Sequence, residues 1–251
     1  MTEWDASLYD NKHNFVSTFG EDLVSLLNPQ KGEHILDVGC GTGDLAYDIS
    51  TKGASVTGID AAQSMIDVAK EKYPDIDFSV QNGENFSFNP HFHAVFSNAA
   101  IHWMKNQQKV IQNCYDVLLP GGRFIAELGG ANNIRSIVNA IKEASNRLSI
   151  LYDVTLFPWV FPTKGKVEAY LINAGFNVIT IKHYERPTPL VGEDGLRNWL
   201  EMFSNNMFKN LTTEEKEAIY NECECILRPQ LYKENSWIAD YWRIRFIAQK
   251  P

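Results

Sequence analysis

The stretch Ile35-Leu36-Asp37-Val38-Gly39-Cys40-Gly41-Thr42-Gly43-Asp44 reads as an apolar strand that runs into a glycine-rich turn and opens a helix. Glycines at three alternate positions permit positive φ and let a ligand touch the backbone, because no Cβ stands in the way. A dinucleotide loop is spaced G-x-G-x-x-G, with its third glycine at the helix N-terminus where a pyrophosphate sits. In this chain that position holds Asp44, a carboxylate expected to repel phosphate.

Working outward, the G-x-G-x-G spacing with Asp37 before it suits a ligand that has a cationic amine and no phosphate, which favours S-adenosylmethionine over NAD. Upstream, Phe15, Phe19, Leu23 and Leu26-Leu27 recur every three to four positions, the period of an amphipathic helix, and Asn28-Pro29 ends it. Downstream, apolar strands and helices alternate: strands 34–38, 55–59, 77–80, 94–98 and 123–128, and helices 45–51, 62–73 and 107–119. This rhythm predicts an α/β fold, a doubly wound, mostly parallel sheet of Rossmann-like type with helices on both faces. Further helices over 134–151, 164–174, 193–206 and 213–232 and strands over 176–184 and 241–248 bring the sheet to seven strands. A single domain 1–251 is expected, with a cofactor-binding core at about 30–130 and helical cap segments at about 131–160 and 189–236 over the strand ends.

Asp60 ends the strand Val56-Thr57-Gly58-Ile59-Asp60, about 20 residues past the loop, where a carboxylate can accept both hydroxyls of a ribose. The same Asp can cap the next helix, and the two roles are compatible.

These motifs resemble the class I methyltransferases over Leu8 to Leu128, most specifically over Leu36 to Gly43. The resemblance implies S-adenosyl-L-methionine as cofactor and methyl transfer as activity. It implies that Gly39, Cys40, Gly41 and Gly43 cradle the amino-acid part and that Asp37 reaches the ammonium through water or backbone. Asp60 would hold the ribose, with Ala61 next to it in the cofactor-binding set, and Ser64 and Met65 would flank the adenine, although Met65 at helical spacing also reads as core. Where the family carries an Asp before a small residue, this chain has Asn82 before Gly83 and Glu84, and an amide oxygen accepts the same hydrogen bond more weakly. Asn98 and Tyr9 complete the expected cofactor set, Tyr9 with Trp4 as a lid.

A finer resemblance, to the trans-aconitate methyltransferase group, rests on Ser97-Asn98-Ala99-Ala100-Ile101-His102-Trp103, on Trp4 to Tyr9 and on Ala239 to Phe246. The start departs from that group, because Asn11-Lys12-His13-Asn14-Phe15-Val16 replaces its basic residues. The N/D-P-P-Y/F signature of amino-methylating DNA enzymes is absent after the fourth strand. A small-molecule acceptor follows as the expectation, with a carboxylic acid first and a quinone-like or secondary-metabolite hydroxyl or carbon as the alternative. A non-catalytic cofactor-binding protein is a third reading, which the intact loop and Asp60 oppose.

A sulfonium is already activated, so the protein mainly aligns the acceptor and excludes water. A carboxylate needs no base. For a hydroxyl acceptor, His102 just past a strand end is the candidate base, against the plainer reading of a packed pocket wall. Trp103, Trp159 and Trp199 are candidate pocket walls, and Phe157, Phe161 and Phe203 extend that aromatic set. Arg243, with Arg197 and Arg245, is the candidate carboxylate ligand. His91 and His93 lack supporting carboxylates or thiols, so no metal is expected.

With 44% hydrophobic residues in 251, the chain can bury one good core. A net charge of −8 and no basic block argue against nucleic acid as partner. Cys40, Cys114, Cys223 and Cys225 form no CxxC pair, so reduced thiols are expected. There is no apolar run of membrane length and no signal-like start, which points to a cytoplasmic protein without membrane association, monomeric or homodimeric.

Overall fold

A computed structural model describes residues 15–89 and 91–251. In chain order its helices and strands are α1 Phe15–Leu27, β1 His34–Val38, α2 Asp44–Ser50, β2 Ser55–Asp60, α3 Gln63–Lys72, β3 Asp77–Val80, β4 Phe92–Asn98, α4 Gln107–Val117, β5 Leu118–Gly129, α5 Arg135–Leu148, α6 Lys164–Ala174, β6 Asn177–Glu185, β7 Thr188–Leu190, α7 Gly195–Ser204, α8 Thr213–Leu231, β8 Tyr232–Lys233, β9 Ser236–Ala239 and β10 Trp242–Gln249. Trp4 and Tyr9, and with them the expected lid, lie outside the described residues.

The chain divides into two compact units. One holds the described residues through Ala131 with Val160–His183 and Arg243–Pro251. Its seven strands lie in the order β3-β2-β1-β4-β5-β10-β6, the doubly wound sheet expected from the alternating pattern. Neighbours from β3 to β5 run parallel, and β10 pairs antiparallel with β5. Successive residues of β1 serve opposite faces: Ile35 packs with Leu23, Leu27, Leu45 and Ile66 of α1, α2 and α3, whereas Leu36 packs with Val110, Ile111 and Leu171 of α4 and α6. Burial on both faces explains why the strands read as near-continuous apolar runs. β1 lies between β2 and β4, so the strand order reverses there, and the loop after β1 opens at that switch point.

Local signals account for the helix ends. Asn106 accepts a hydrogen bond from the Lys109 amide at 3.1 Å and starts α4, and Gly175 at φ 102° closes α6. β5 begins at Leu118, ahead of the expected start at 123, because Leu118 pairs with Phe92 across a register shift.

The other unit is Asn132–Trp159 with Tyr184–Trp242. Besides α5, α7 and α8 it contains a three-stranded sheet, β7-β9-β8, that corrects the expectation of a purely helical segment. Its hairpin pairs Tyr232 with Trp237 and Lys233 with Ser236 across Glu234 and Asn235, both at positive φ. Strands of two to four residues are too short for a period of two to emerge, so the one readable signal was Asn235, a residue that tolerates such a turn.

Among the described residues no helix is long and apolar enough to cross a membrane, and no group of three or more His, Cys, Asp or Glu side chains could hold a metal ion.

Candidate functional site

The loop after β1 is shaped by positive φ at Gly39 (78°), Gly41 (56°) and Gly43 (88°). The amides of Gly39 and Cys40 both donate to the Ile59 carbonyl, at 2.7 and 3.0 Å, which folds the loop back on β2. A Cβ on Gly43 would lie 2.8 Å from the Phe78 ring, so packing demands glycine there. At Gly41 a Cβ would meet nothing within 4 Å: the backbone there faces open space. Such a surface lets a ligand approach the main chain directly.

Two carboxyls stand by this loop, Asp60 bonded to it and Asp37 buried at the end of β1. Asp60 accepts from the Gly41 amide at 3.1 Å and from the Ala62 amide at 2.9 Å. Burial pushes its pKa up, against the pull of those amides. Asp37 is 2% exposed, and burial, with the Asp60 charge adding to it, pushes its pKa up to about 8. Two buried acids of this kind lose stability when ionised and regain it when a cation arrives. The pair therefore fits a cofactor with an ammonium and a sulfonium, and disfavours one with a pyrophosphate.

Asp44 plays a different part from the one expected of it. Its carboxylate accepts from Lys72 Nζ at 2.5 Å and from the Tyr73 hydroxyl at 2.6 Å, tying the start of α2 to the end of α3. Its charge is compensated locally by Lys72.

Met65 is buried on α3, whereas Ala61 and Ser64 are exposed. After β3, the Asn82 side-chain oxygen accepts from the Glu84 amide at 2.9 Å, so part of its accepting capacity is spent on its own turn. Gly83 is enclosed: a Cβ would lie 2.6 Å from Met104 Sδ. Glu84, expected among the cofactor ligands, accepts instead from the amides of Lys105 and Asn106 at 2.7 and 3.1 Å. Its carboxylate braces the loop after β3 against the start of α4. Ser97, which sequence reasoning passed over, donates to the Val38 carbonyl at 2.7 Å and joins β4 to the rim of the glycine loop.

Asn98 ends β4 in register with Glu127. Ala99 follows at φ 54°, a left-handed turn that brings Ala100 against Gly39 and starts the short turn Ile101–Trp103. His102 in that turn is 5% exposed, and the Gly129 amide donates to its Nδ1 at 3.1 Å. A neutral imidazole that accepts at Nδ1 carries its proton on Nε2. His102 is thereby set as a hydrogen-bond donor, not as a base ready to accept a proton. The rings of Trp103 and Phe161 lie near it, with centroids 5.9 and 5.8 Å away.

Arg243 is 4% exposed and lies opposite Gly129 in the β5–β10 ladder. Arg245, two residues on, pairs with the buried Glu127 at 2.7 Å. Arg197, in the second unit, is held by Glu217 and Glu224 at 2.7 and 2.9 Å, which explains it as a structural ion cluster and removes it from the carboxylate ligands. Trp199 is likewise a core residue of that unit: it is 2% exposed, its indole N–H donates to the Tyr241 hydroxyl at 2.6 Å, and it packs against Trp159 and Phe203. His93 Nδ1 accepts from the His34 amide at 3.0 Å and His91 lies beside Asn89, so neither is arranged as a ligand.

A family model described as a methyltransferase domain matches residues 35–122. The chain is similar to the uncharacterized methyltransferase C70.08c of Schizosaccharomyces pombe, 30% identical over 98% of both chains. It is similar to malonyl-[acyl-carrier protein] O-methyltransferase 1 of Ilyobacter polytropus, 29% identical over 47% of each chain. Among solved structures it resembles phosphoethanolamine N-methyltransferase 2 of Haemonchus contortus, in complex with phosphomonomethylethanolamine and S-adenosylhomocysteine, with a TM-score of 0.62 and 19% identity over 98% of this chain and 57% of that one.

Proposed function

Because this chain belongs to the S-adenosylmethionine-dependent methyltransferases, we propose that it methylates a small carboxylic acid at a carboxylate oxygen. The observation that carries this reading is the hydrogen bond from the Gly129 amide to His102 Nδ1. It puts the ring proton on Nε2, in the turn just past β4, on the side of the sheet where a doubly wound fold binds its ligands. A donor suits an acceptor that is already ionised and needs no base, and it suits a hydroxyl acceptor poorly.

S-adenosylmethionine, when bound, supplies a methyl group on an electron-poor sulfur. The chain's own residues bind and orient. Asp37 and Asp60, with Ala61 beside it, would take the cationic amino-acid end and the ribose, Gly39, Cys40, Gly41 and Gly43 would line its amino-acid part, and Ser64, Met65 and Asn82 would flank the adenine. His102 Nε2–H holds one oxygen of the acceptor carboxylate, leaving the other as the nucleophile, and Arg243 balances the acid's charge. Trp103 excludes water beside His102. A likeness to a malonyl-carrier-protein O-methyltransferase agrees with a carboxyl acceptor.

A second reading, methylation of a hydroxyl on a flat quinone-like ring, is favoured by the aromatic rings of Trp103 and Phe161 beside His102. Incubating the purified protein with labelled cofactor and parallel sets of small carboxylic acids and phenols separates the two. Base-labile methyl esters are expected. Stable ethers from phenols alone would overturn the carboxylate reading.

A further inference from the structure

Gln107 opens α4 and is 3% exposed. Its Nε2 donates to two carbonyls, that of Ile101 at 3.3 Å and that of Val160 at 2.9 Å. The Val160 amide in turn donates to the carbonyl of His102 at 2.8 Å. The next residue, Phe161, lays its ring 5.8 Å from the His102 imidazole at 36°. One amide group thus ties the turn that carries His102 to the segment that backs it.

Two carbonyl partners settle the orientation of the Gln107 amide, because turning it over would face oxygen to oxygen. Its Oε1 is then buried without a hydrogen-bond partner. An orphaned buried oxygen is a standing cost that an apolar side chain of the same size would avoid. The side chain is thus held by its two donated bonds alone, and these are the bonds that join the two segments.

We propose that Gln107 is a positioning residue that holds His102 in the Nε2–H tautomer by fixing Val160 and Phe161 against it. The Gly129 amide can reach Nδ1 only while the ring keeps its place, and the ring is backed by the two residues that Gln107 secures. The role rests on the reading of His102 as the donor to the acceptor.

The test is nitrogen NMR of protein labelled with 15N-histidine, with S-adenosylhomocysteine bound and the His102 signals assigned by their loss in His102→Asn. In the wild type a single tautomer is expected, with Nδ1 in its unprotonated range. Gln107→Met, which keeps length and removes both donated bonds, is expected to give averaged tautomers while the affinity for S-adenosylhomocysteine stays within twofold. Gln107→Leu is the second variant should the first not fold, with the same averaged tautomers expected. An unchanged single tautomer in a folded variant overturns the role of Gln107. Adding a panel of small carboxylic acids tests the reading beneath it separately: a His102 Nε2 signal that none of them moves removes His102 from the acceptor site and leaves the tautomer result standing.

Discussion

Ala100 occupies the space that a side chain on Gly39 would need: a Cβ built on Gly39 lies 2.1 Å from the Cβ of Ala100. The glycine loop is thus packed against the turn that leads to His102, and Gly39 has both a positive φ and no room to grow. Gly39→Ala adds a left-handed residue to an overpacked contact and is expected to cost about 2–4 kcal/mol of stability. Denaturant unfolding measures it, and a loss below about 0.5 kcal/mol would mean that Ala100 can move aside.

Asp60 binds two loop amides with its carboxylate and faces the opening beside Gly41. Asp60→Ala is expected to weaken S-adenosylmethionine binding by about 2–4 kcal/mol, the value of one or two charge-assisted hydrogen bonds. Calorimetric titration reads this directly, with NAD as a control that should give no heat. Unchanged affinity would take Asp60 out of the cofactor site.

Asp37 gives the protein a pH signature. Burial and the neighbouring Asp60 raise its pKa to about 8, against about 4 in an unfolded chain. Between these values the folded state holds a proton that the unfolded state has released. The contribution of Asp37 to stability is therefore full below about pH 4 and falls as pH rises toward 8. A cationic cofactor favours the ionised form, so its binding should release protons near neutrality and tighten as pH approaches 8. Calorimetry in two buffers of different ionisation heat counts those protons. In Asp37→Asn both the stability loss and the proton release should disappear, and persistence of either would assign it elsewhere.

Ala99 holds φ 54°, a conformation that costs an L-residue about 1–2 kcal/mol. Ala99→Gly relieves this while adding about 0.4–1 kcal/mol of unfolded-state entropy. The variant is expected to be neutral or up to about 1 kcal/mol more stable, where an alanine in ordinary backbone would lose stability. A clear destabilisation would show that the turn is held by something other than its backbone.

The features legible in the chain are those whose causes are local. Apolar runs bounded by turns located β1, β3 and α6 to the residue, because hydrophobic period, caps and glycine punctuation act within a few positions. The doubly wound sheet followed from the order of those elements, and the family from Leu36 to Gly43. The hairpin Tyr232–Ala239 escaped notice because its strands are too short to repeat a pattern.

Sequence by itself determined which residues could bind a cation beside an open backbone, since that depends on side-chain type and spacing along one strand and one turn. What those side chains do was decided only by the tertiary structure. Asp44 is spent on Lys72 and Tyr73, 28 and 29 positions away, Glu84 on amides 21 and 22 positions away, and the tautomer of His102 is set by an amide 27 positions away. Hydrogen bonds and burial are made through space, and which partners meet depends on how the strands assemble, a relation that no local stretch of the chain encodes.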